Sequence, residues 1–317
     1  MKLLKGDCLI ESDKIESGSV ELILTDLPYG TMTKLNYKEQ IQCRGENSFK
    51  WDEVIDTKKV YEIANRILRK NGKMVLFCQQ PFTNELITKA TPNIPFSYSM
   101  IWEKDNYGHA LLAKKAPLNF YEDVLVFSKT HDTEDLHPLR DYLKECKKKS
   151  KMTNKQFNHL FSDYTNKKGN RDRSVLEHYW APAQFHLPTE EIYKKILQPT
   201  GYFPTPYEEL KEIDNQFKER FASTFNLWEG NKYKSNILKY KKDYTGLHPT
   251  QKPVLLLEDL IKTFSNENDL VVDLTMGSGS TGVAAKNTNR NFIGIEQDQK
   301  YFNIAEQRIK ETEFKLF

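Results

Sequence analysis

Asp26 follows a run of apolar residues at the point where a buried strand is predicted to end. The run Val20–Thr25 leads directly into Asp26-Leu27-Pro28-Tyr29. Ligand sites of open parallel sheets lie at the carboxyl ends of strands, and Pro28 holds the backbone of Leu27 extended. A carboxylate, a backbone carbonyl and an aromatic ring in this order could grip a planar base that bears an amino group. The same tetrapeptide is also a common turn, so it does not establish a function by itself.

A second acidic segment contains two strand ends separated by a glycine-rich turn. Asp273 ends one predicted strand and Glu296 ends the next. Glycine lets a ligand approach the backbone closely, and Glu296 is well placed to bind two ribose hydroxyls. Because Gly277, Gly279 and Gly282 satisfy G-x-G-x-x-G, a dinucleotide dehydrogenase has to be considered.

The position of this turn in the chain argues against a dehydrogenase. Only 35 residues follow Gly282, too few for the several strand–helix units that a dinucleotide site requires. Strands that come earlier in the chain must complete the sheet. The nucleotide-binding half is therefore last and the catalytic half is first.

A third segment, His248-Pro249-Thr250-Gln251-Lys252-Pro253, stands just before a predicted helix. Its spacing alone favours an ordinary helix entry, with Thr250 near a capping position.

The elements that position these segments alternate between strands and helices, which indicates an α/β fold. Predicted strands are Val20–Thr25, Lys73–Cys78, Tyr98–Glu103, Val124–Phe127, Leu270–Leu274 and Phe292–Glu296. Predicted helices in the same part of the chain are Thr57–Lys70, Glu85–Lys89, Leu255–Phe264 and Tyr301–Phe314.

Residues 131–246 differ from the rest because strand-like runs stop and lysine, tyrosine and proline become frequent. We interpret this stretch as an inserted, mainly helical module between residues 1–130 and 247–317. Between Lys144 and Arg173, ten basic residues face three acids, a local balance of +7. A lysine run of this kind usually marks a solvated surface, and it could also neutralise several phosphates.

The composition and the cysteine spacing argue against a membrane-spanning, secreted or zinc-binding protein. The chain has 317 residues, 38% of them hydrophobic, and no uninterrupted apolar run long enough to span a bilayer. The charged N-terminus does not resemble a secretory signal, so we expect a soluble, intracellular protein. The four cysteines are far apart, and no Cys/His spacing suits zinc. We expect reduced thiols and no metal.

Taken together, the segments resemble the β group of amino-methyltransferases that act on DNA bases. The order Asp-Leu-Pro-Tyr, inserted module, His-Pro-Thr-Gln-Lys-Pro, Asp-Leu-Thr-Met-Gly-Ser-Gly-Ser-Thr-Gly is the order of that group. Leu76–Thr83 and Met100–Lys104 are similar to segments of phage and bacterial adenine-N6 methyltransferases. The resemblance covers residues 1–129 and 246–317. It implies a doubly wound, mostly parallel, seven-stranded sheet with a circularly permuted order of motifs.

The resemblance also implies roles for individual residues. Asp26 and the Leu27 carbonyl would accept hydrogen bonds from the target amine, next to Pro28, and Tyr29 would stack on the flipped base. The residues that would hold S-adenosylmethionine (SAM) are Asp7 and Cys8 at its adenine, Glu296 at its ribose, Asp273, Thr275, Gly277, Ser278, Gly279, Ser280 and Thr281 at its methionine part, and Thr250 and Lys252 over its amino-acid end. The inserted module would recognise double-stranded DNA, and its phosphate-facing candidates are Lys147, Lys148, Lys149, Lys151, Lys167, Lys168, Arg171 and Arg173.

Two positions depart from the pattern of the group. Leu27 replaces the usual proline, which we expect to be tolerated because only its carbonyl is needed. Asp273-Leu274-Thr275 replaces Asp-Pro-Phe, which is expected to loosen the cofactor pocket without abolishing it. A cytoplasmic location in a bacterium or a phage-infected host is implied, whereas a homodimer and an accompanying restriction endonuclease stay open.

Several alternatives use the same segments. Methylation of cytosine N4 uses the same fold, often with serine at the position of Asp26. An RNA adenine methyltransferase would differ only in the inserted module. An inactive nucleic-acid-binding protein would not need two complete sites.

Overall fold

The computed structural model divides into two compact units. Unit 1 comprises Met1–Thr130 and Ser223–Phe317, and unit 2 comprises His131–Ala222. The structure describes residues 1–29, 54–108, 114, 117–131, 137–160, 179, 185–220, 222–227, 232–244 and 251–312. Residues 223–227 and 232–244, which were predicted to belong to the inserted module, fall instead within unit 1.

Unit 1 is built on an eight-stranded sheet. Its strands are β1 (Lys2–Lys5), β2 (Val20–Thr25), β3 (Leu68–Cys78), β4 (Phe96–Gly108), β5 (Asn119–Ser128), β6 (Ile237–Lys239), β7 (Leu270–Asp273) and β8 (Asn291–Glu296). They are arranged in the order β1-β8-β7-β2-β3-β5-β4-β6. Strand β5 runs antiparallel to both β3 and β4, and the other neighbours are parallel. The prediction of a mostly parallel, permuted sheet is confirmed, but the number of strands exceeds the seven expected.

Helices cover both faces of the sheet. In unit 1 they are α1 (Cys8–Glu11), α2 (Thr57–Ile67), α3 (Phe82–Thr88), α8 (Val254–Phe264), α9 (Ser280–Asn287) and α10 (Gln299–Glu311). Helices α2 and α3 pack on one face, and α8, α9 and α10 pack on the other. Because side chains alternate along a strand, Ile23 belongs to the first core and Leu22 and Leu24 to the second. This burial on both faces explains why apolar residues occupy four of the six positions of β2, on both sides of the sheet.

The chain changes direction across the sheet between β2 and β7. Strand β2 leads outward to β3, whereas β7 leads in the opposite direction to β8 and then β1. A crevice forms at such a switch point, outside the carboxyl ends of the two strands. The sheet therefore brings the end of Val20–Thr25 and the end of Leu270–Asp273 together, although they are far apart in sequence.

Two helices of unit 1 begin directly after an aspartate that caps their N-terminus. Asp56 accepts a hydrogen bond from the backbone N–H of Lys58 at the start of α2, and Asp298 does the same for Lys300 at the start of α10. Helix α2 ends at Ile67 and β3 begins at once. The helix predicted over Thr57–Lys70 is thus three residues shorter, and Asn71, with a φ of 65°, lies at an irregularity in the pairing of β3 with β2.

Unit 2 has a core of its own. Its helices are α4 (Pro138–Ser150), α5 (Asn154–Leu160), α6 (Glu190–Ile192), which continues as a wider turn over Tyr193–Leu197, and α7 (Tyr207–Arg220). Leu143, Tyr193 and Leu210 are among its buried residues. His137 caps α4 and lies 3.1 Å from Asp214. The described part of unit 2 is helical, as expected for the inserted module.

Two other expectations concern the whole chain. Within the described residues, no helix combines the length and apolar character needed to cross a membrane. Cys8, Cys78 and Cys146 are buried free thiols, and Cys43 lies outside the described residues.

Candidate active site

A cavity of about 630 Å³ opens at the carboxyl ends of β2, β7 and β8. Its wall contains Asp26-Leu27-Pro28-Tyr29, residues of the glycine-rich turn, Glu296 and Lys252. Three segments that are distant in the sequence therefore share one pocket. Its volume lies within the range of roughly 300–1,000 Å³ that is typical of small-molecule sites.

Hydrogen bonds between side chains join the two strands that flank the crevice. Thr25 Oγ1 donates to Asp273 Oδ1 over 2.8 Å, and Thr281 Oγ1 donates to Asp273 Oδ2 over 2.6 Å. The backbone N–H of Thr275 also donates to Asp273 Oδ1, at 3.1 Å. In return, Thr275 Oγ1 donates to the backbone carbonyl of Asp26 over 2.9 Å. Asp273 thus fixes the glycine-rich turn to the strand that carries Asp26.

Asp273 is only 3% exposed. Burial raises the pKa of its carboxyl to about 6, although three hydrogen bonds oppose the change. The three donors to Asp273 named above are all neutral. None of them is a lysine or an arginine that would compensate its negative charge.

Glu296 is held by backbone N–H groups. Gly277 donates to its Oε2 over 2.9 Å, and Asp298 donates to its Oε1 over 2.7 Å. Each oxygen keeps a lone pair for a further donor, and the side chain lines the cavity. Burial raises the pKa of Glu296, and these backbone bonds oppose the change. A diol could bind here by donating one hydrogen bond to each oxygen.

The glycine-rich turn leads into α9 through Gly279, which has a φ of 80°. A Cβ there would lie 2.9 Å from the Cβ of Ala305 on α10. Glycine is therefore required both by the left-handed backbone and by the close approach of the helix. Arg308 stabilises the turn from α10 by donating to the Ser278 carbonyl at 3.2 Å and to Ser280 Oγ at 2.9 Å.

Asp7 and Cys8 form another part of the wall. Asp7 caps α1 because its Oδ1 accepts a hydrogen bond from the N–H of Leu9 over 2.9 Å. Burial raises the pKa of Cys8 to about 12, so its side chain is a neutral thiol. The backbone N–H of Gly6 donates to the Glu296 carbonyl, which keeps this segment beside β8.

Both carboxylate oxygens of Asp26 are engaged by side chains. The Tyr29 hydroxyl donates to Oδ1, and the Lys252 ammonium donates to Oδ2. Burial raises the pKa of Tyr29 well above its usual range, and Asp26 adds to this, so the phenol remains a donor. The Tyr29 ring lies 5.4 Å from that of Phe82 on α3. Tyr29 thus packs against Phe82 and also forms part of the cavity wall.

Lys252 also approaches a second carboxylate, that of Glu122 on β5. Its ammonium lies 3.2 Å from Glu122 Oε2, and Lys104 on β4 lies 2.6 Å from Glu122 Oε1. The ammonium of Lys252 is also 5.1 Å from the centre of the Phe77 ring. Two carboxylates and two lysines thus form a chain, Asp26–Lys252–Glu122–Lys104, with no net charge.

The four charged groups shift one another's pKa values. Burial raises the pKa of Asp26 and outweighs the opposing effect of Lys252, while Glu122 adds to the increase. Burial alone would lower the pKa of Lys252, but Asp26 and Glu122 raise it. Burial would likewise raise the pKa of Glu122, but Lys252 and Lys104 hold it below its ordinary value. For Lys104, burial lowers the pKa against the pull of Glu122.

Glu122 was not predicted from the sequence, and Lys104 was named only as the last residue of Met100–Lys104, the segment similar to adenine-N6 methyltransferases. Trp102 pairs with Glu122 across the antiparallel β4–β5 pair, so Lys104, two residues along, lies on the same face. In the sequence the two charges stand within the runs Glu103-Lys104-Asp105 and Glu122-Asp123, and such runs usually lie on a solvated surface. The pairing register is needed to see that these two side chains face each other.

Lys252 was expected over the amino-acid end of the cofactor, and the structure places its ammonium on Asp26 and Glu122. Thr250, its predicted neighbour in that role, lies outside the described residues. Of the phosphate-facing candidates, Lys147, Lys148 and Lys149 form the last turn of α4 and Lys151 follows its end. Lys167, Lys168, Arg171 and Arg173 also lie outside the described residues.

The sequence profile of the DNA methylase family matches residues 20–307. The chain belongs to this family. The resemblance inferred from the order of the motifs is therefore confirmed. DNA methylases of this kind transfer a methyl group from SAM, so the expected cofactor is confirmed as well.

Known relatives include restriction-associated and adenine enzymes. Type II methyltransferase M.HindIII of Haemophilus influenzae is 24% identical over 97% of this chain and 94% of its own length. DNA adenine methyltransferase YhdJ of Escherichia coli K12 is 25% identical over 97% of this chain and 82% of its own length. Type II methyltransferase M2.LlaDCHI of Lactococcus lactis subsp. cremoris is 38% identical over 32% of this chain. That alignment covers only 35% of the relative.

Solved structures share the fold. A complex of M1.HpyAVI with SAM is similar over 97% of this chain and 98% of its own, with a TM-score of 0.52 and 18% identity. The cytosine-N4-specific PvuII DNA methyltransferase is similar over 99% of this chain and 87% of its own, with a TM-score of 0.51 and 14% identity. Because a cytosine-N4-specific enzyme has this architecture, the fold alone does not show which base this chain methylates.

Proposed function

We propose that this DNA methylase transfers a methyl group from SAM to N6 of an adenine flipped out of duplex DNA. The observation that carries the proposal is the position of Asp26. Asp26 lies at the carboxyl end of β2, where its carboxylate accepts hydrogen bonds from Tyr29 and Lys252. It lines the same cavity as Glu296. The same cavity therefore contains Asp26, which can accept a hydrogen bond from an amine, and Glu296, which can accept hydrogen bonds from the ribose of a nucleoside.

The residues of the cavity fit SAM. Glu296 offers two carboxylate oxygens to a ribose diol, and Gly277 brings backbone without a side chain to the cavity wall beside it. Asp7 and Cys8 would border the adenine, with the 277–281 turn around the methionine part. Asp273 would act by holding that turn, since its oxygens already accept bonds from Thr25, Thr281 and Thr275. When bound, SAM supplies a methyl group on a positively charged sulfur, which leaves as a neutral thioether once the methyl has moved.

Asp26 would prepare the amine for attack. The lone pair of an aromatic amine is delocalised into the ring, so the nitrogen is a poor nucleophile. Hydrogen bonds from the amine to Asp26 and to the Leu27 carbonyl would localise that lone pair on the nitrogen. The nitrogen becomes cationic as its bond to the methyl carbon forms, so a fixed carboxylate stabilises the transition state more than the ground state. The excess proton then passes to Asp26 or to solvent.

Tyr29 would hold the flipped base. Extrusion from the duplex costs a few kcal/mol, and stacking on an aromatic side chain returns roughly 1–3 kcal/mol. Contact with Phe82 keeps the Tyr29 ring in place, and the Tyr29 hydroxyl orients Asp26 by donating a hydrogen bond to it. One residue would thus position both the base and the carboxylate.

Adenine is favoured over cytosine by Asp26, since the cytosine-N4 enzymes of this group often carry serine there. The full-length similarity to YhdJ, which is named a DNA adenine methyltransferase, supports the same choice. Cytosine N4 and RNA adenine remain the alternatives that an experiment has to separate.

Unit 2 would contact the phosphates of the DNA through the end of α4. Lys148 and Lys149 are exposed there, next to Lys151. Replacing Lys148 and Lys149 by alanine should weaken DNA binding and reduce the slope of log K against log salt by about 1 for each lost phosphate contact. Lys58→Ala combined with Lys59→Ala, an equally exposed pair on α2 of unit 1, removes the same charge. An unchanged slope in the first variant would argue against this surface.

The decisive experiment is methylation with isotopically labelled SAM, followed by digestion to nucleosides and mass spectrometry. Duplex DNA and RNA are offered in parallel, with wild-type protein and Asp26→Ala. We expect label in N6-methyladenine from DNA and a loss of roughly 10²–10³-fold in the variant. Label in N4-methylcytosine or in RNA would replace the proposed substrate. No label despite SAM binding and DNA of varied sequence would contradict the proposed activity.

A further inference from the structure

The chain of charges behind Asp26 suggests a role for a residue that the sequence motifs do not contain. Building on the proposed function, we infer that Glu122 is a positioning residue that acts through Lys252 to control the charge and orientation of the Asp26 carboxylate. Glu122 lies on β5, a strand that contributes no part of the recognised motifs.

The geometry makes Lys252 a bridge between two carboxylates. Its ammonium donates to Asp26 Oδ2 and lies 3.2 Å from Glu122 Oε2. The side chain of Asp26 is 22% exposed, whereas those of Lys252 and Glu122 are 7% and 11% exposed. Asp26 is therefore the most exposed of these three side chains, although Lys252 and Glu122 also contribute to the cavity wall.

Glu122 is itself fixed from the opposite side. Lys104 holds its Oε1 at 2.6 Å, and Gln79 donates to the same oxygen over 3.4 Å. Lys104 lies 5.4 Å from the centre of the Trp102 ring, so its ammonium is also confined. A buried acid with this many partners holds one position, and its position sets that of Lys252.

The reaction explains why Lys252 needs a second anion. The target nitrogen gains positive charge in the transition state, and an uncompensated ammonium beside Asp26 would oppose that gain. It would also bind the Asp26 carboxylate tightly enough to compete with the incoming amine. Glu122 balances the charge of Lys252 through the ion pair at 3.2 Å, which leaves Asp26 able to accept from the substrate.

The same arrangement fixes the sign of a pH effect. The titratable groups that face Asp26 are Tyr29, Lys252, Glu122, Cys78 and Asp273, with Lys104 behind Glu122. Among them, Glu122 raises the pKa of Asp26 and Lys252 lowers it. Removing the charge of Glu122 should therefore lower the pKa of Asp26, even though the rate falls.

The test uses the full chain and measures kcat, KM for DNA and the SAM dissociation constant from about pH 5 to pH 9, where enzyme acids and bases titrate. Glu122→Gln should lower kcat about tenfold or more, the effect of losing one well-placed interaction. SAM affinity should stay within about twofold, because Glu122 acts on Asp26 and not on the cofactor. The acid limb of the kcat profile, which reports protonation of Asp26, should move to lower pH.

Three further variants separate positioning from folding. Glu122→Asp keeps the charge and should restore most of the rate and the wild-type acid limb. Lys104→Met removes one of the two ammonium groups that compensate the negative charge of Glu122. Glu122 then raises the pKa of Asp26 further, so the acid limb of the kcat profile should move to higher pH. Glu103→Gln, a neighbouring acid on β4 that is 49% exposed and paired with Lys239, should match the wild type.

The outcomes are distinct for the two proposals. Wild-type protein that forms no methylated base contradicts the proposed function, whatever the variants do. Active wild type with a Glu122→Gln variant of equal kcat overturns the role of Glu122. A lower kcat with an unmoved acid limb also overturns it, since a merely structural residue would give that result. If Glu122→Gln does not fold, Glu122→Asp and Lys104→Met still test the sign of the shift.

Discussion

The two ends of the cavity hold their carboxylates in different ways. At the proposed SAM-binding end, Glu296 and Asp273 accept hydrogen bonds from backbone N–H groups and threonine hydroxyls. At the other end, Asp26 is bonded by a phenol and an ammonium, and a second ion pair lies behind it. Backbone donors are fixed and uncharged, so they suit a site that must keep one shape. Charged side chains suit a site whose occupant changes its charge during the reaction.

This difference predicts separate consequences for binding and catalysis. If Glu296 accepts both proposed hydrogen bonds from the ribose, Glu296→Ala should cost roughly 4 kcal/mol, or about a thousandfold in affinity. Isothermal titration should show that loss for SAM, with kcat at saturating SAM changed little. Asp26→Ala is the matched control and should have the opposite pattern. A large fall in kcat with unchanged affinity in Glu296→Ala would remove the distinction between the two ends.

That the residues proposed to bind SAM lie beside one cavity could be predicted from the sequence, because they are close together in the chain. Asp273, the 277–281 turn and Glu296 come from one strand–turn–helix–strand unit, where residue spacing dictates position. Asp26 was predicted for the same reason, since it directly follows a buried strand.

The charge chain at the catalytic end depends instead on the packing of distant elements. Glu122 and Lys104 meet through the register of an antiparallel pair, and Lys252 arrives from the segment before α8. No pattern within a short window contains this information. The same limit applies to β1 and β6, which have only four and three residues and show no periodicity that predicts a strand.

The second prediction concerns the effect of neutral donors on stability. The pKa of Asp273 is raised to about 6 in the folded protein, whereas an unfolded aspartate titrates near 3.9. The folded state therefore binds the proton more tightly, and this carboxyl contributes less stability as pH rises through that window. At about 1.4 kcal/mol per pH unit, the change between pH 4 and pH 6 is up to roughly 3 kcal/mol.

Asp273→Asn should remove this slope. The unfolding free energy of the wild type, relative to the variant, should fall as pH increases from about 4 to about 6. Thermal unfolding of both proteins across this range measures the difference, with Glu103→Gln as an exposed control. A relative stability that rises with pH would mean that Asp273 is a stabilised anion in the folded state, as at a charge-paired site.

The third prediction tests how closely the SAM-binding end is packed. Gly279→Ala combines a left-handed backbone with a contact of 2.9 Å to Ala305, and should lower the unfolding free energy by about 2 kcal/mol. Gly201 also has a φ of 80°, but a Cβ there would meet nothing within 4 Å. Gly201→Ala therefore isolates the backbone cost, which is about 1 kcal/mol. Equal destabilisation in the two variants would show that the approach of α10 does not constrain the turn.

The smallest expected effect distinguishes orientation from stacking at the catalytic end. Tyr29→Phe keeps the ring beside Phe82 but removes the hydrogen bond to Asp26. The loss of one such bond is worth about 1 kcal/mol, so kcat should fall by roughly fivefold with SAM affinity unchanged. Because that bond lowers the pKa of Asp26, its removal should move the acid limb of the kcat profile to higher pH. The shift is opposite in sign to the one expected for Glu122→Gln, so the two variants measured side by side show whether Asp26 responds to its neighbours by charge. A shift in the same direction in both would mean that the acid limb reports another group, and that the catalytic end is no more electrostatically tuned than the SAM-binding end.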